Sequence, residues 1–83
     1  MTSVTVLYFA SLRDAAGSDR ETIASDAADL RALYVQLRER HGFVLAADRL
    51  RVAVDGSFAR WEDALREGSE VAFIPPVSGG GAG

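Results

Sequence analysis

The last eleven residues, FIPPVSGGGAG (73–83), hold the arrangement from which most chemistry can be read. An apolar pair leads into Pro75-Pro76, Val77 and Ser78, then Gly79, Gly80 and Gly81, with Ala82 and Gly83 at the end. The reactive group such a segment offers is its terminal carboxylate. Two prolines restrict φ, so a chain leaving them takes a set direction. Glycine has no side chain and adopts positive φ readily, so its backbone can thread a narrow channel. Val77 supplies an apolar grip on a partner surface. Such a tail would deliver one carboxylate to an active site on another protein. A carboxylate is a poor acyl donor until a good leaving group is attached, so the partner would have to activate it. A frayed terminus shares the glycine richness; the launch through two prolines favours the directed reading.

The familiar internal site types lack their residues. There is no cysteine, which removes disulfides, thiolate metal ligands and thiol nucleophiles. All nine basic residues are arginine, so lysine Schiff-base chemistry is excluded. His41 is the single histidine, on the apolar face of a helix, where a structural role outweighs a ligand role. No glycine-rich loop precedes a helix, and no nucleophile elbow surrounds a serine. Asp14/Asp19 and Glu62/Asp63 fall in exposed-looking turns and read as solvated surface. No metal or cofactor is expected on this chain.

The bulk numbers agree with a small globular domain. Eighty-three residues make one core, and 48% apolar with 25% charged residues argues against disorder. The net charge of −3 is spread along the chain, which disfavours nucleic-acid binding. No basic region leads into an apolar stretch and no apolar run approaches a membrane span. Neither a secretory leader nor a membrane-crossing helix is expected, and the cytosol is the default compartment.

The elements that must position the tail follow from periodicity. SVTVLYFAS (3–11) reads as a strand covered on both faces, with Val4, Val6 and Tyr8 on one side and Thr5, Leu7 and Phe9 on the other. LRDAAGS suggests a helical turn stopped by Gly17, and RETIAS (20–25) a short strand. Ser25 or Asp26 is expected to cap the main helix, with Asp29 in its first turn and Gly42 at its end. Leu30, Leu33, Tyr34, Leu37 and His41 share its apolar face. Asp55-Gly56 signals a tight hairpin within 49–61, residues 62–70 a short helical or looped segment, and EVAFI (70–74) the last strand. This order fits an α+β fold, a mixed sheet with one main helix across it.

FASLRDAAG (9–17) and EVAFIPPVSGG (70–80) resemble the small sulfur-carrier subunit of molybdopterin synthase, and the similarity in length and element order spans residues 4–80. The resemblance implies a ubiquitin-like β-grasp domain over residues 1–76 and a flexible glycine-rich tail over 77–83. It implies that an E1-like adenylating enzyme uses ATP to convert the C-terminal glycine carboxylate into an acyl-adenylate. Sulfur from a persulfide donor protein then leaves a thiocarboxylate. The tail, Pro75, Pro76, Val77, Ser78, Gly79, Gly80 and Gly81, would enter the large subunit and donate sulfur to a cyclic pyranopterin phosphate. The family's partner-binding patch maps onto Phe9, Phe58 and Ile74, and Arg13 matches a recurrent arginine. Simple core packing competes with that role for Phe58 and Ile74. Sulfur carriage for thiamin or cysteine synthesis, or a protein modifier without sulfur chemistry, would suit the same frame.

Members of this family usually finish at the Gly-Gly pair, here Gly79-Gly80, whereas this sequence continues with Gly81, Ala82 and Gly83. Three extended residues add roughly 10 Å of reach. A protease could expose Gly80, Gly83 could itself be activated, or the chain could be a paralogue with a blunted end.

Overall fold

Strand β1 (Thr2–Tyr8) buries Val4, Val6 and Tyr8 and leaves Thr5 and Leu7 half-exposed. A computed structural model describes residues 1–76. Coverage of both faces of β1, expected from its unbroken apolar run, is not found. The main helix covers only one side of the sheet, and the apolar residues on the other side stay open. Nor does the strand reach residue 11: Ala10 takes a positive φ of 51° and turns the chain into α1 (Ser11–Ala16). Gly17, at φ 76°, ends α1 with its N–H on the Arg13 carbonyl.

β2 (Arg20–Ser25) returns antiparallel to β1, in register from Thr2 opposite Ser25 to Leu7 opposite Arg20. The main helix, α2 (Leu30–His41), starts later than the capping residues suggest. Asp29 is its N-cap, accepting the Ala32 N–H at 2.8 Å, and neither Ser25 nor Asp26 fills that position. Ser25 Oγ instead accepts the Ala27 N–H at 3.0 Å and donates to Gln36 Oε1 at 2.7 Å. Gln36 Nε2 in turn donates to Asp26 Oδ1 at 2.9 Å. Both residues therefore tie the approach to the helix flank, and the cap falls to the last acidic residue before the apolar periodicity. Gly42, at φ 75°, closes α2.

After a 3-10 turn (Ala47–Arg49), β3 (Arg51–Val54) and β4 (Ser57–Phe58) form the expected hairpin. Asp55 and Gly56 both take positive φ, 50° and 87°, as a two-residue hairpin connection requires. Residues 59–69 follow as a loop. β5 (Glu70–Ile74) then inserts into the middle of the sheet, parallel to β1 and antiparallel to β3. The strand order is β2-β1-β5-β3-β4, a mixed five-stranded sheet wrapped on α2, the β-grasp arrangement.

The apolar face of α2 meets the sheet at Val4, Val6, Tyr8, Val52, Val71 and Phe73. Full burial of each large side chain there stabilises by roughly 1.5–3 kcal/mol. Tyr34 sits at the centre, edge-on to Phe73 with ring centroids 5.1 Å apart, and its hydroxyl donates to the Leu45 carbonyl at 2.6 Å. Trp61 stacks on Phe73 at 5.8 Å and carries the loop after β4 onto the core. One side of the sheet is thus closed, and function must use the other side or the chain ends.

Candidate functional site

Ladder register builds a continuous row on the face away from α2. Leu7 of β1 lies opposite Ala72 of β5, Ala72 opposite Ala53 of β3, and Ala53 opposite Phe58 of β4. The two alanines leave room between larger neighbours. Leu7, Phe9, Phe58 and Ile74 border the resulting depression, whose remaining lining is Gly56 and Glu70. Phe58 is 68% exposed and Phe9 45% exposed, so core packing does not account for either ring. Clustered exposed aromatics around an apolar depression are the mark of a docking surface rather than of scattered surface carbon.

Phe9, Phe58 and Ile74 therefore converge although they come from a turn and two strands. Arg13 does not join them directly. It is exposed on α1, beside a neighbouring recess shared with Leu7, Phe9, Asp19 and Arg20, and forms no ion pair among the described residues. Arg51 was not singled out by the sequence. Its guanidinium lies over the Phe58 ring, 5.4 Å from the centroid, a cation–π contact that holds the ring at the edge of the depression. Strand alternation places Arg51 on this face with Ala53, but that contact follows from a two-residue hairpin turn placing Phe58 opposite Ala53.

The tail leaves from the same edge. Ile74 opposite Arg51 is the last rung between β5 and β3, and Pro75 follows with no N–H for a further ladder bond. Pro75 is partly buried and Pro76 exposed, in a groove with Asp48, Arg49, Leu50 and Arg51. Val77, Ser78, Gly79, Gly80, Gly81 and Gly83 lie outside the described residues.

Behind Phe9, the buried Tyr8 hydroxyl donates to Glu21 Oε1 at 2.6 Å. His41 Nε2 lies 2.8 Å from the same oxygen, and Arg40 reaches the other carboxylate oxygen at 3.8 Å. Burial, and then the hydrogen bond and charge of Glu21, push the Tyr8 phenol far above its ordinary value. Burial alone would raise Glu21. The hydrogen bonds from Tyr8 and His41 and the Arg40 charge outweigh it and hold the carboxyl below its ordinary value. His41 also stacks on Phe43 at 5.3 Å, which fits the structural role expected of it. The cluster binds β1, β2 and the end of α2 together.

Other candidate groups stay apart. Asp14 sits within α1 rather than in a turn, while Asp19, Glu62 and Asp63 are exposed in connections. Glu62 pairs with Arg31 at 3.3 Å, both well exposed, and Asp63 accepts the Arg60 N–H. Among the described residues no three His, Cys, Asp or Glu side chains gather as a metal site, and no helix is long and apolar enough to cross a membrane.

The profile of the ThiS family matches residues 6–80, a span that takes in the open face, the tail exit and the Gly79-Gly80 pair. This chain belongs to the ThiS family. Within it, the molybdopterin synthase sulfur carrier subunit of Escherichia coli is 34% identical over 80 residues, covering 93% of this chain and 99% of that protein. Small archaeal modifier protein 1 of Haloferax volcanii is 25% identical over 93% of this chain and 100% of its own, with a TM-score of 0.78. The solved complex of subunits 1 and 2 of the molybdopterin-converting factor from Helicobacter pylori holds a chain of the same fold, 23% identical, with a TM-score of 0.66 and coverage of 94% and 99%. The likeness to the small subunit of molybdopterin synthase, read from FASLRDAAG and EVAFIPPVSGG, is borne out at family level.

Proposed function

We propose that this ThiS-family chain is the sulfur carrier of molybdenum-cofactor biosynthesis, and that its carboxyl tail is the working part. The supporting observation is the junction at Ile74, where the apolar depression and the Pro75-Pro76 exit meet at the end of the central strand β5. A partner that grips Phe9, Phe58 and Ile74 receives the tail in a fixed direction. The name and near full-length match of the Escherichia coli relative support the same role.

In this proposal the C-terminal glycine carboxylate attacks the α-phosphate of ATP on an E1-like adenylating enzyme, and pyrophosphate leaves. The outer sulfur of a persulfide on a donor protein then attacks the acyl carbon and AMP leaves, giving an acyl disulfide. A second thiol attacks the donor's sulfur in that bond, a disulfide forms on the donor side, and the terminus is released as a thiocarboxylate. The tail, Pro75 through Gly81, enters the large subunit of molybdopterin synthase and gives its sulfur to a cyclic pyranopterin phosphate. Gly80 bears the sulfur if Gly81-Ala82-Gly83 is removed, and Gly83 bears it otherwise. ATP is used by the partner, and this chain supplies no acid or base. Glycine at the reacting carbon leaves the acyl centre unhindered, and Phe9, Arg13, Phe58 and Ile74 position it through docking.

The test is incubation of the full chain with ATP, the adenylating enzyme and a persulfide donor, followed by intact mass. One oxygen-for-sulfur exchange is expected, and addition of the large subunit with cyclic pyranopterin phosphate should return the carboxylate. The likeness to small archaeal modifier protein 1 makes attachment of the tail to lysines of other proteins the main rival. Isopeptide products without a thiocarboxylate would favour that rival.

A further inference from the structure

The open face carries a charge gradient aligned with the tail. The apolar row Leu7-Ala72-Ala53-Phe58 divides the face. On its tail side, Arg51 stands opposite Ile74, Arg49 lines the groove of Pro75 and Pro76, and Arg13 and Arg20 flank Phe9. Asp19 and Asp48 offset only part of this positive charge. On the far side, Glu70 pairs in register with Thr5, and the Asp55 carboxylate accepts the Glu70 backbone N–H at 2.9 Å, so two exposed acidic residues belong to that end of the sheet. Arg13, Arg20, Arg51, Asp55 and Glu70 are all exposed.

We infer that the protein receiving the tail presents an apolar patch with carboxylates beside the mouth of its tail channel and a basic side chain at the opposite edge. The inference rests on the docking role proposed above and adds the charge pattern of the partner to it. An apolar depression alone fixes contact but not direction, because a small domain can sit on a flat patch in several rotations. A bipolar rim removes that freedom: the rotation placing Arg51 and Arg13 on carboxylates also aims Pro75 at the channel, and the reverse rotation sets like charges together. Exposed charges of this kind steer encounter and set orientation more than they add affinity, so their signature is an association rate that falls with salt.

The test measures association of the full-length chain with the isolated large subunit at low and high salt. The variants are Arg13→Glu with Arg51→Glu, the single Glu70→Arg, and Phe58→Asp. Each charge reversal should slow association roughly tenfold at low salt, with the difference closing at high salt. With Arg51→Glu also made alone, Arg51→Gln should fall between it and wild type; equality of Arg51→Gln with the single Arg51→Glu would mean that contact with Phe58, not charge, carries the effect. If Arg→Glu slows association while Glu70→Arg accelerates it, the partner is uniformly acidic and the bipolar rim is wrong. If Phe58→Asp abolishes binding and the reversals leave the rate unchanged, the docking face stands and the charge pattern falls. If all variants bind as wild type does, the docking role itself falls. A free chain that sediments as a dimer, dissolved by Phe58→Asp, would make a second copy the occupant and overturn the inference.

Discussion

Ile74 and Arg51 form the last rung of the β3–β5 ladder, so the tail begins at the edge where the apolar depression ends. That single relationship joins the two functional parts of the chain. In the proposed role, docking and delivery are separable in sequence and meet at this rung.

Removal of residues 77–83 should leave the fold intact. Among the described residues, those of the buried core all lie before Pro75. The unfolding free energy is expected to stay within about 0.5 kcal/mol of the full chain, while sulfur donation to the large subunit is lost. Denaturant melts of both forms check the first outcome and a sulfur-transfer assay the second. Unfolding of the shortened chain would make the tail structural.

Phe58→Ala separates docking from stability. The ring is 68% exposed, so its loss should change stability by no more than about 0.5 kcal/mol. Binding to the large subunit should weaken by about tenfold or more if this aromatic is an anchor. Equilibrium titration of thiocarboxylated chain into the large subunit reads the effect.

Asp29→Ala tests where α2 begins. The Asp29 side chain accepts the Ala32 N–H, so its loss should cost about 1 kcal/mol. Asp26→Ala loses a bond to Gln36 on the exposed flank and should cost less. Equal losses would contradict the assignment of the cap.

Tyr8→Phe removes the 2.6 Å bond to Glu21 from a buried ring and should cost about 1 kcal/mol. Acidification addresses Glu21 itself, whose carboxyl is held below its ordinary value of 4.5. Its contribution is fully present above that unfolded-state value and disappears as pH falls through the lower folded-state value. Glu21→Gln cannot titrate there, so the stability difference between wild type and variant should shrink on acidification. Urea melts at several pH values from neutral to strongly acidic would show the convergence, and a gap constant with pH would refute the role of Glu21.

The sequence located β2 and β5 at their observed bounds because a turn signal at Gly17-Ser18 precedes β2, Gly68 precedes β5, and Pro75-Pro76 ends β5. It identified the buried face of α2 through Leu30, Leu33, Tyr34 and Leu37, whose helical spacing leaves one solution. It erred at Ser25 and Asp26, since several capping residues precede α2 and only the path out of β2 decides among them. It also erred on the second face of β1, because an apolar β-rich run does not distinguish a buried face from one awaiting a partner. Phe9, Phe58 and Ile74 came from the family resemblance. Their convergence needed the strand order, in which the last strand lies between the first and third. Arg51 over Phe58 had no sequence signal of its own, as the contact depends on a hairpin register.

The most direct measurement is the intact mass of this chain recovered from its native host. The account expects one oxygen-for-sulfur exchange at the C-terminus, on a chain ending at Gly80 if Gly81-Ala82-Gly83 is trimmed and at Gly83 if it is not. A full-length chain with an unmodified carboxylate, unchanged after incubation with ATP, the adenylating enzyme and a sulfur donor, would contradict the carrier role.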